Sequence, residues 1–134
     1  MTQIVCLLGN PRAEGNSAEL AQLFCKSAEA EGAAITSFDL PSLRYSGCRT
    51  LFHCKTAGER CGLDDDLSAV LEAVRAANIV VLASPVYFTD VSSDLKACID
   101  RLVLLLRAGL RDQPAEESAG PRQAAGLHPD PGRA

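Results

Sequence analysis

Residues 3–17 read Gln3-Ile4-Val5-Cys6-Leu7-Leu8-Gly9-Asn10-Pro11-Arg12-Ala13-Glu14-Gly15-Asn16-Ser17, and this stretch decides the fold. Gln3–Leu8 is a short, continuous apolar run rich in strand formers. Gly9-Asn10-Pro11 ends it, as expected of a strand buried on both faces. Asn16 or Ser17 is positioned to cap a helix from Ala18 to about Glu31. Its apolar positions Leu20, Leu23, Phe24 and Ala28 recur at helical spacing, and Gly32 stands where a C-terminal cap belongs.

The same alternation continues downstream. Ala34–Leu40 reads as a second strand closed by Pro41, and a polar, cysteine-bearing loop runs from Ser42 to Leu63. Asp64-Asp65-Asp66 then places negative charge where a helix dipole favours it, ahead of a helix defined by Leu67, Val70, Leu71 and Val74. Asn78–Ala83 is a third strand, again apolar throughout. Ser84-Pro85-Val86-Tyr87-Phe88 leaves it, and Ser92 or Ser93 starts a helix through Leu106. The order β-α-β-loop-α-β-α implies parallel strands joined by right-handed crossovers, with helices on both faces.

Composition sets the bounds. The chain has 134 residues, enough for one small domain, and 47% of them are hydrophobic, enough to build a core. A formal net charge of -4 leaves no electrostatic footprint for nucleic acid or an acidic membrane surface. No apolar run approaches the ~20 residues of a bilayer span. Met1-Thr2-Gln3-Ile4-Val5 has no basic segment of the kind that opens a signal peptide, so a cytoplasmic protein is expected. Cys6, Cys25 and Cys98 fall inside strand or helix patterns and read as small buried hydrophobes rather than as a disulfide framework.

The averages hide a break at Arg107. Residues 1–107 carry every aromatic, every cysteine and every periodic segment. Residues 108–134 hold four of the seven prolines and only Leu110 and Leu127 as large apolar groups, so a disordered tail is expected there.

In an open parallel sheet, ligands bind at the carboxyl ends of the strands. Two loops occupy such positions. In residues 9–17 the glycines permit close backbone approach, Asn10, Asn16 and Ser17 offer side-chain donors, and Arg12 adds positive charge. With the free amides of the following helix they can form a phosphate cradle, although a plain strand-to-helix turn would look similar. In residues 84–88, Tyr87 and Phe88 behind Pro85 can offer a flat apolar wall to a planar ring, or can pack beneath the next helix.

Taken together, LLGNPRAEGNS (Leu7–Ser17), the cysteine loop ending in DDD, ASPVYF (Ala83–Phe88) and DLKACIDRL (Asp94–Leu102) resemble the flavodoxin-like NADPH-dependent FMN reductase family, with its iron–sulfur flavoprotein branch closest in pattern. The signatures of that family are G-S-P-R-x-x-G-N-[ST], a C-x-x-C-x-x-C-type loop leading to DD, S-P-V-Y, and L-K-x-x-x-D-R. Asn10 stands in place of the usual serine. The resemblance implies a flavodoxin-like three-layer α/β sandwich with a parallel sheet in order 2-1-3-4-5 and FMN at the first switch point. By that resemblance Asn10, Pro11, Arg12, Gly15, Asn16 and Ser17 hold the phosphate, and Pro85, Val86, Tyr87 and Phe88 hold the isoalloxazine. It also implies hydride transfer from NAD(P)H, as co-substrate, to flavin and on to a small-molecule electron acceptor. The flavin supplies the redox chemistry and no catalytic acid or base is invoked. Members of the family often pair, so a homodimer is open.

The cysteine loop departs from the pattern. Tyr45 stands where the first ligand of a four-cysteine cluster would be, leaving Cys48, Cys54 and Cys61 with wide gaps. His53 offers a fourth ligand for a mixed site that would also suit zinc, but this spacing matches no established metal pattern. The expectation is against a cluster.

The resemblance also implies two further strands after the last helix, and residues 108–134 supply none in the frame given. Back-translated and read one nucleotide later, residues 108–113 permit PDYVTN and residues 125–132 permit LVFILTQ, both like family segments. A one-base frameshift after Arg107 is therefore expected, with strands 1–3 present, strands 4–5 missing and 108–134 a non-native reading. Reduced flavin affinity and activity would follow, as would an uncovered third strand. A flavodoxin-type electron carrier and an inactive fragment are the competing readings. Carriers usually show a T-x-T-G-x-T loop, so G-N-P-R-x-x-G-N-S favours the reductase.

Overall fold

The computed structural model describes residues 1–51, 53–56 and 60–110. Three strands, β1 (Gln3–Leu8), β2 (Ala34–Asp39) and β3 (Ile79–Ala83), form a parallel sheet in the order β2-β1-β3. Leu8 pairs with Asp39 on one side and with Ala83 on the other, so the carboxyl ends of all three strands finish level at one rim. Helices α1 (Asn16–Ala30), α3 (Leu67–Ala76) and α4 (Ser93–Leu110) complete the layers, with a short α2 (His53–Thr56) inside the cysteine loop. These are the first three strands of the flavodoxin-like order.

Alternating residues of β1 feed two unequal cores. Val5 and Leu7 face Leu40, Leu67, Val70, Leu71, Leu95, Cys98 and Leu104 from the α3 and α4 side. Cys6 faces Ala21, Cys25 and Ala83 from the α1 side. A buried leucine or valine contributes about 1.5–3 kcal/mol, so the α3 and α4 face carries most of the hydrophobic stabilisation.

Several elements differ from the sequence expectation. The sheet-facing stripe of α1 is Ala18, Ala21 and Cys25, whereas Leu20, Leu23 and Phe24 are exposed. Two apolar stripes compete on this helix, and the one with small side chains lets the backbone settle close to the sheet. The cap of α1 is Gly15, in extended backbone with no side-chain bond, rather than Asn16 or Ser17. Strand β2 stops at Asp39 because Leu40-Pro41-Ser42 winds into a 3-10 turn that buries Leu40 completely. Asn78 lies just outside β3, where its side-chain oxygen accepts from the Gln3 amide at 2.8 Å and its own amide donates to the Gln3 carbonyl at 2.9 Å. Helix α4 passes the expected break at Arg107 and is helical through Leu110, the last described residue, since alanine and leucine sustain a helix. The rest of the expected tail, 111–134, lies outside the described residues. No helix among the described residues is long and apolar enough to cross a membrane.

Candidate functional site at the carboxyl rim

The loops after β1 and β3 meet at the same rim. Gly9 donates its amide to the Ala83 carbonyl at 2.8 Å, extending the ladder one step past the paired strands. A Cβ on Gly9 would lie 2.7 Å from Leu95 Cβ and 2.8 Å from Ser92 Oγ. Only glycine lets the start of α4 come this close. Ser92, itself buried, donates through Oγ to the Gly9 carbonyl at 2.6 Å and accepts from the Leu95 amide at 3.3 Å, so it caps α4 while gripping the first loop. Its amide donates to Ser84 Oγ at 2.8 Å, and that hydroxyl donates to the Pro85 carbonyl at 2.8 Å. Two serines therefore join both loops and the helix. The sequence reading treated Ser92 only as a cap.

In the first loop Asn10 is buried, 6% exposed, and its Oδ1 has no hydrogen-bond partner. A Cβ on Gly15 would stand 2.9 Å from Asn10 Nδ2. Pro11, Arg12 and Asn16 are exposed, and Gly15 and Ser17 are half-buried. The first amides of α1 receive no acceptor from a cap side chain, and the first intrahelical bond at that end runs from the Glu19 amide to the Gly15 carbonyl at 3.0 Å. A free helix N-terminus beside an orphaned buried amide suits a phosphorylated polyol. On such a ligand the backbone amides would take the anion, and Asn10 Oδ1 would accept from a polyol hydroxyl. Rotating the Asn10 amide by half a turn would offer Nδ2 to a phosphate oxygen instead.

The second loop is a strained hairpin. Tyr87 and Asp90 exchange backbone bonds, 2.8 Å from the Tyr87 amide and 3.0 Å from the Asp90 amide. Between them Phe88 and Thr89 hold φ at 48° and 70°, positive at both central positions as in a type I′ turn. Asn-Gly is the usual pair there, and a β-branched threonine at positive φ is an outlier. The strain carries two rings outward: Phe88 is fully exposed and Tyr87 about half exposed, with Val86 beside them. Pro85 is half-buried at the base of the hairpin. The rings do not pack beneath α4.

The cysteine loop is fastened elsewhere. Tyr45 donates its phenol to the Asp94 carbonyl at 2.6 Å, and burial, chiefly, pushes its pKa up. Arg101, 2% exposed, donates through Nη1 to Asp65 at 2.5 and 2.7 Å and to the Ser46 carbonyl at 3.3 Å. Burial alone would lower the guanidinium's pKa, but Asp65 and Cys61 beside it hold it above the ordinary value. Both had entered only inside motifs, Arg101 in DLKACIDRL and Asp65 in the DDD run, and not as partners. Asp65 had been assigned to the α3 dipole, and it does accept from the Leu67 amide at 3.2 Å.

Cys48 is exposed, and Cys54 and Cys61 are half-buried. Among the described residues no three of His, Cys, Asp and Glu gather to hold a metal ion, and His53 sits exposed on α2. With Tyr45 in place of the first cysteine, the loop carries three thiols, one short of a four-thiolate set. Cys6, Cys25 and Cys98 are buried, as expected. Burial, with Cys25 adjacent, pushes the Cys6 thiol up to about 12, and burial pushes Cys98 up to about 11.

Comparison with known proteins bears on the family and the fold. The chain is 31% identical over 99 residues to an iron–sulfur flavoprotein of Archaeoglobus fulgidus, covering 74% of this chain and 44% of that protein. It is 31% identical over 99 residues to the iron–sulfur flavoprotein MJ1083 of Methanocaldococcus jannaschii, covering 74% and 51% respectively. The chain thus spans about half the length of these curated relatives. A crystal structure of azoreductase from Bacillus anthracis str. Sterne superposes with a TM-score of 0.57 at 24% identity, over 76% of this chain and 55% of that one, which supports the fold. The model of the NADPH-dependent FMN reductase family matches residues 2–126. By that match, and with two loops of the expected kind at one rim, the chain belongs to the NADPH-dependent FMN reductase family.

Proposed function

We propose that this chain binds FMN across the two rim loops and serves NAD(P)H-dependent electron transfer to a small-molecule acceptor. One observation carries the reading. The orphaned, buried Asn10 Oδ1 stands beside an uncapped helix N-terminus, at the same rim as a strained hairpin that lifts two aromatic rings into solvent. Each half suits one half of FMN.

The α1 amides with Asn16, Ser17 and Arg12 would hold the phosphate, Asn10 would accept from the ribityl chain, and Pro85, Val86, Tyr87 and Phe88 would flank the ring. When bound, FMN supplies the two-electron chemistry. The protein's share is placement. Gly9 and Gly15 keep the floor open, Ser84 and Ser92 fix the spacing between the loops, and the exposed rings exclude water from one face of the flavin. No side chain of the site is assigned a proton transfer. A setting with reduced thiols, as in cytoplasm, suits the free Cys48, Cys54 and Cys61.

Titrating the purified chain with FMN and following flavin absorbance and fluorescence tests the reading, with NADPH then added under anaerobic conditions. A shifted, saturable flavin spectrum that bleaches with NADPH is expected. Flavin that binds but stays oxidised would make the chain a carrier, and a spectrum identical to free FMN would remove the assignment.

A further inference from the structure

Cys6 and Cys25 take no part in the proposed flavin site, yet the fold brings them together. Cys6 sits in the middle of β1, paired across the sheet with Ser37 and Val81, on the face that α1 covers. Cys25 stands one helical turn beyond Ala21 on the buried stripe of α1, so it looks back at the sheet. The two meet in one small cluster with Ala21 and Ala83, at 1% and 7% exposure. Burial first, then the charge and hydrogen bonding of the Cys25 side chain, push the Cys6 thiol up to about 12, so the two thiols are direct neighbours. No other cysteine among the described residues belongs to this cluster.

A disulfide spans Cα atoms about 4.4–6.8 Å apart. Ala18 and Ala21 let α1 lie close to the sheet, and Cα atoms of α1 and β1 come within 8 Å of each other. Closing a bond between the two sulfurs therefore asks the helix to draw in by only about an ångström. Packed thiols are inert, so reaction runs through a form in which α1 has separated from β1. The alanine-lined cluster that holds α1 is the smaller of the two cores, which keeps that form within reach of the folded chain.

We propose that Cys6 and Cys25 are a modification site, a dithiol that a low-molecular-weight disulfide converts into a bond fixing α1 to β1. Cys25, the more exposed of the two, reacts first. Its sulfur attacks one sulfur of the small disulfide, whose S–S bond breaks and releases one small thiol. The adduct finds no room beneath a helix seated on alanines, so α1 cannot settle again while it stays. Cys6 then attacks the Cys25 sulfur and expels the second small thiol. Two protein thiols are oxidised to one disulfide, one small disulfide is reduced to two thiols, and the two protons leave on those thiols. The product ties the helix whose first amides lie at the carboxyl rim, and it forms within one chain rather than between chains.

The test uses the full chain without flavin, so its outcome does not depend on the proposed cofactor. The reduced chain is incubated with oxidised glutathione, quenched by alkylation at intervals and digested with trypsin, which separates residues 1–12 from 13–26. Mass spectrometry is expected to show these two fragments joined by a disulfide that dithiothreitol reverses. Urea below the unfolding transition should speed the joining, and hydrogen exchange of the α1 amides should slow at least tenfold once the bond has formed. Cys6→Ala should instead trap Cys25 as a stable glutathione adduct. A wild-type Cys25 that keeps its adduct overturns the proposal, as does a bond from Cys6 or Cys25 to any other cysteine. Thiols that stay reduced until the whole chain unfolds, or α1 exchange unchanged by the bond, overturn it as well.

Discussion

Ser92 Oγ and the Gly9 carbonyl lie 2.6 Å apart, and this bond fastens the start of α4 to the loop after β1. The same hydroxyl caps the Leu95 amide, and Gly9 is buried. Ser92→Ala therefore loses a helix cap and leaves a buried carbonyl unpaired. A loss of about 1–3 kcal/mol is expected in urea unfolding, together with weaker FMN binding. Unchanged stability would show that the serine does not hold the rim.

The hairpin at Phe88-Thr89 is expected to trade stability for function. Phe88→Asn with Thr89→Gly gives the turn its preferred residues and should raise stability by about 1 kcal/mol. The same change removes a ring from the flavin wall, so FMN affinity should fall. Thermal unfolding and flavin titration of one sample read both effects, and parallel changes in the two would refute the trade.

Gly15 has φ of -91°, a conformation open to any residue, so Gly15→Ala carries no backbone strain. Its Cβ crowds Asn10 Nδ2 at 2.9 Å. The expected outcome is stability equal to or slightly above wild type with at least tenfold weaker FMN binding. Equal affinity would place the phosphate elsewhere.

How much of this was legible in the sequence differs from residue to residue. Strand β1 was plain because an uninterrupted apolar run bounded by glycine and proline has one reading. The orientation of α1 was not, because Leu20, Leu23 and Phe24 outweigh Ala18, Ala21 and Cys25 on any scale that rewards size, whereas the sheet selects the stripe that packs closest. The rim loops were legible through Gly9, Gly15 and the Pro85-Val86-Tyr87-Phe88 run. The turn at Phe88-Thr89 was hidden, since its residues argue locally against the conformation they adopt. The pairing of Arg101 was hidden for another reason: DLKACIDRL marks the arginine but names no partner, which is 36 positions away in sequence.

That partnership makes its own prediction. The Arg101 side chain is fully buried and that of Asp65 is 19% exposed. Asp65→Ala should therefore destabilise by about 3 kcal/mol through the unpaired guanidinium. Arg101→Met with Asp65→Leu should recover most of that loss. A double-mutant cycle by chemical denaturation gives the coupling, and a value near zero would mean the pair is incidental.

Alkaline pH should unfold the chain through its interior thiols. Cys6 and Cys98 rise from 9.0 to about 12 and about 11 in the folded protein. The unfolded chain therefore loses these protons first, and their contribution to stability is full below pH 9 and declines as pH climbs toward 11–12. Denaturant midpoints measured from pH 8 to 11 should fall accordingly, and substituting Ala for both cysteines should flatten the decline. Alkylation at pH 8 should reach Cys48 while sparing Cys6 and Cys98.

The two faces of the sheet are held by very different means. Leucines clamp α3 and α4, whereas α1 rests on alanines and a pair of cysteines, so lifting it away exposes little greasy surface. Of the three long helices, α1 accordingly has the smallest apolar cluster to give up on opening, and its leading amides are the ones that would meet a doubly charged anion. Loading the cofactor would then act as a latch, slowing the opening of a whole helix from a single grip at its tip.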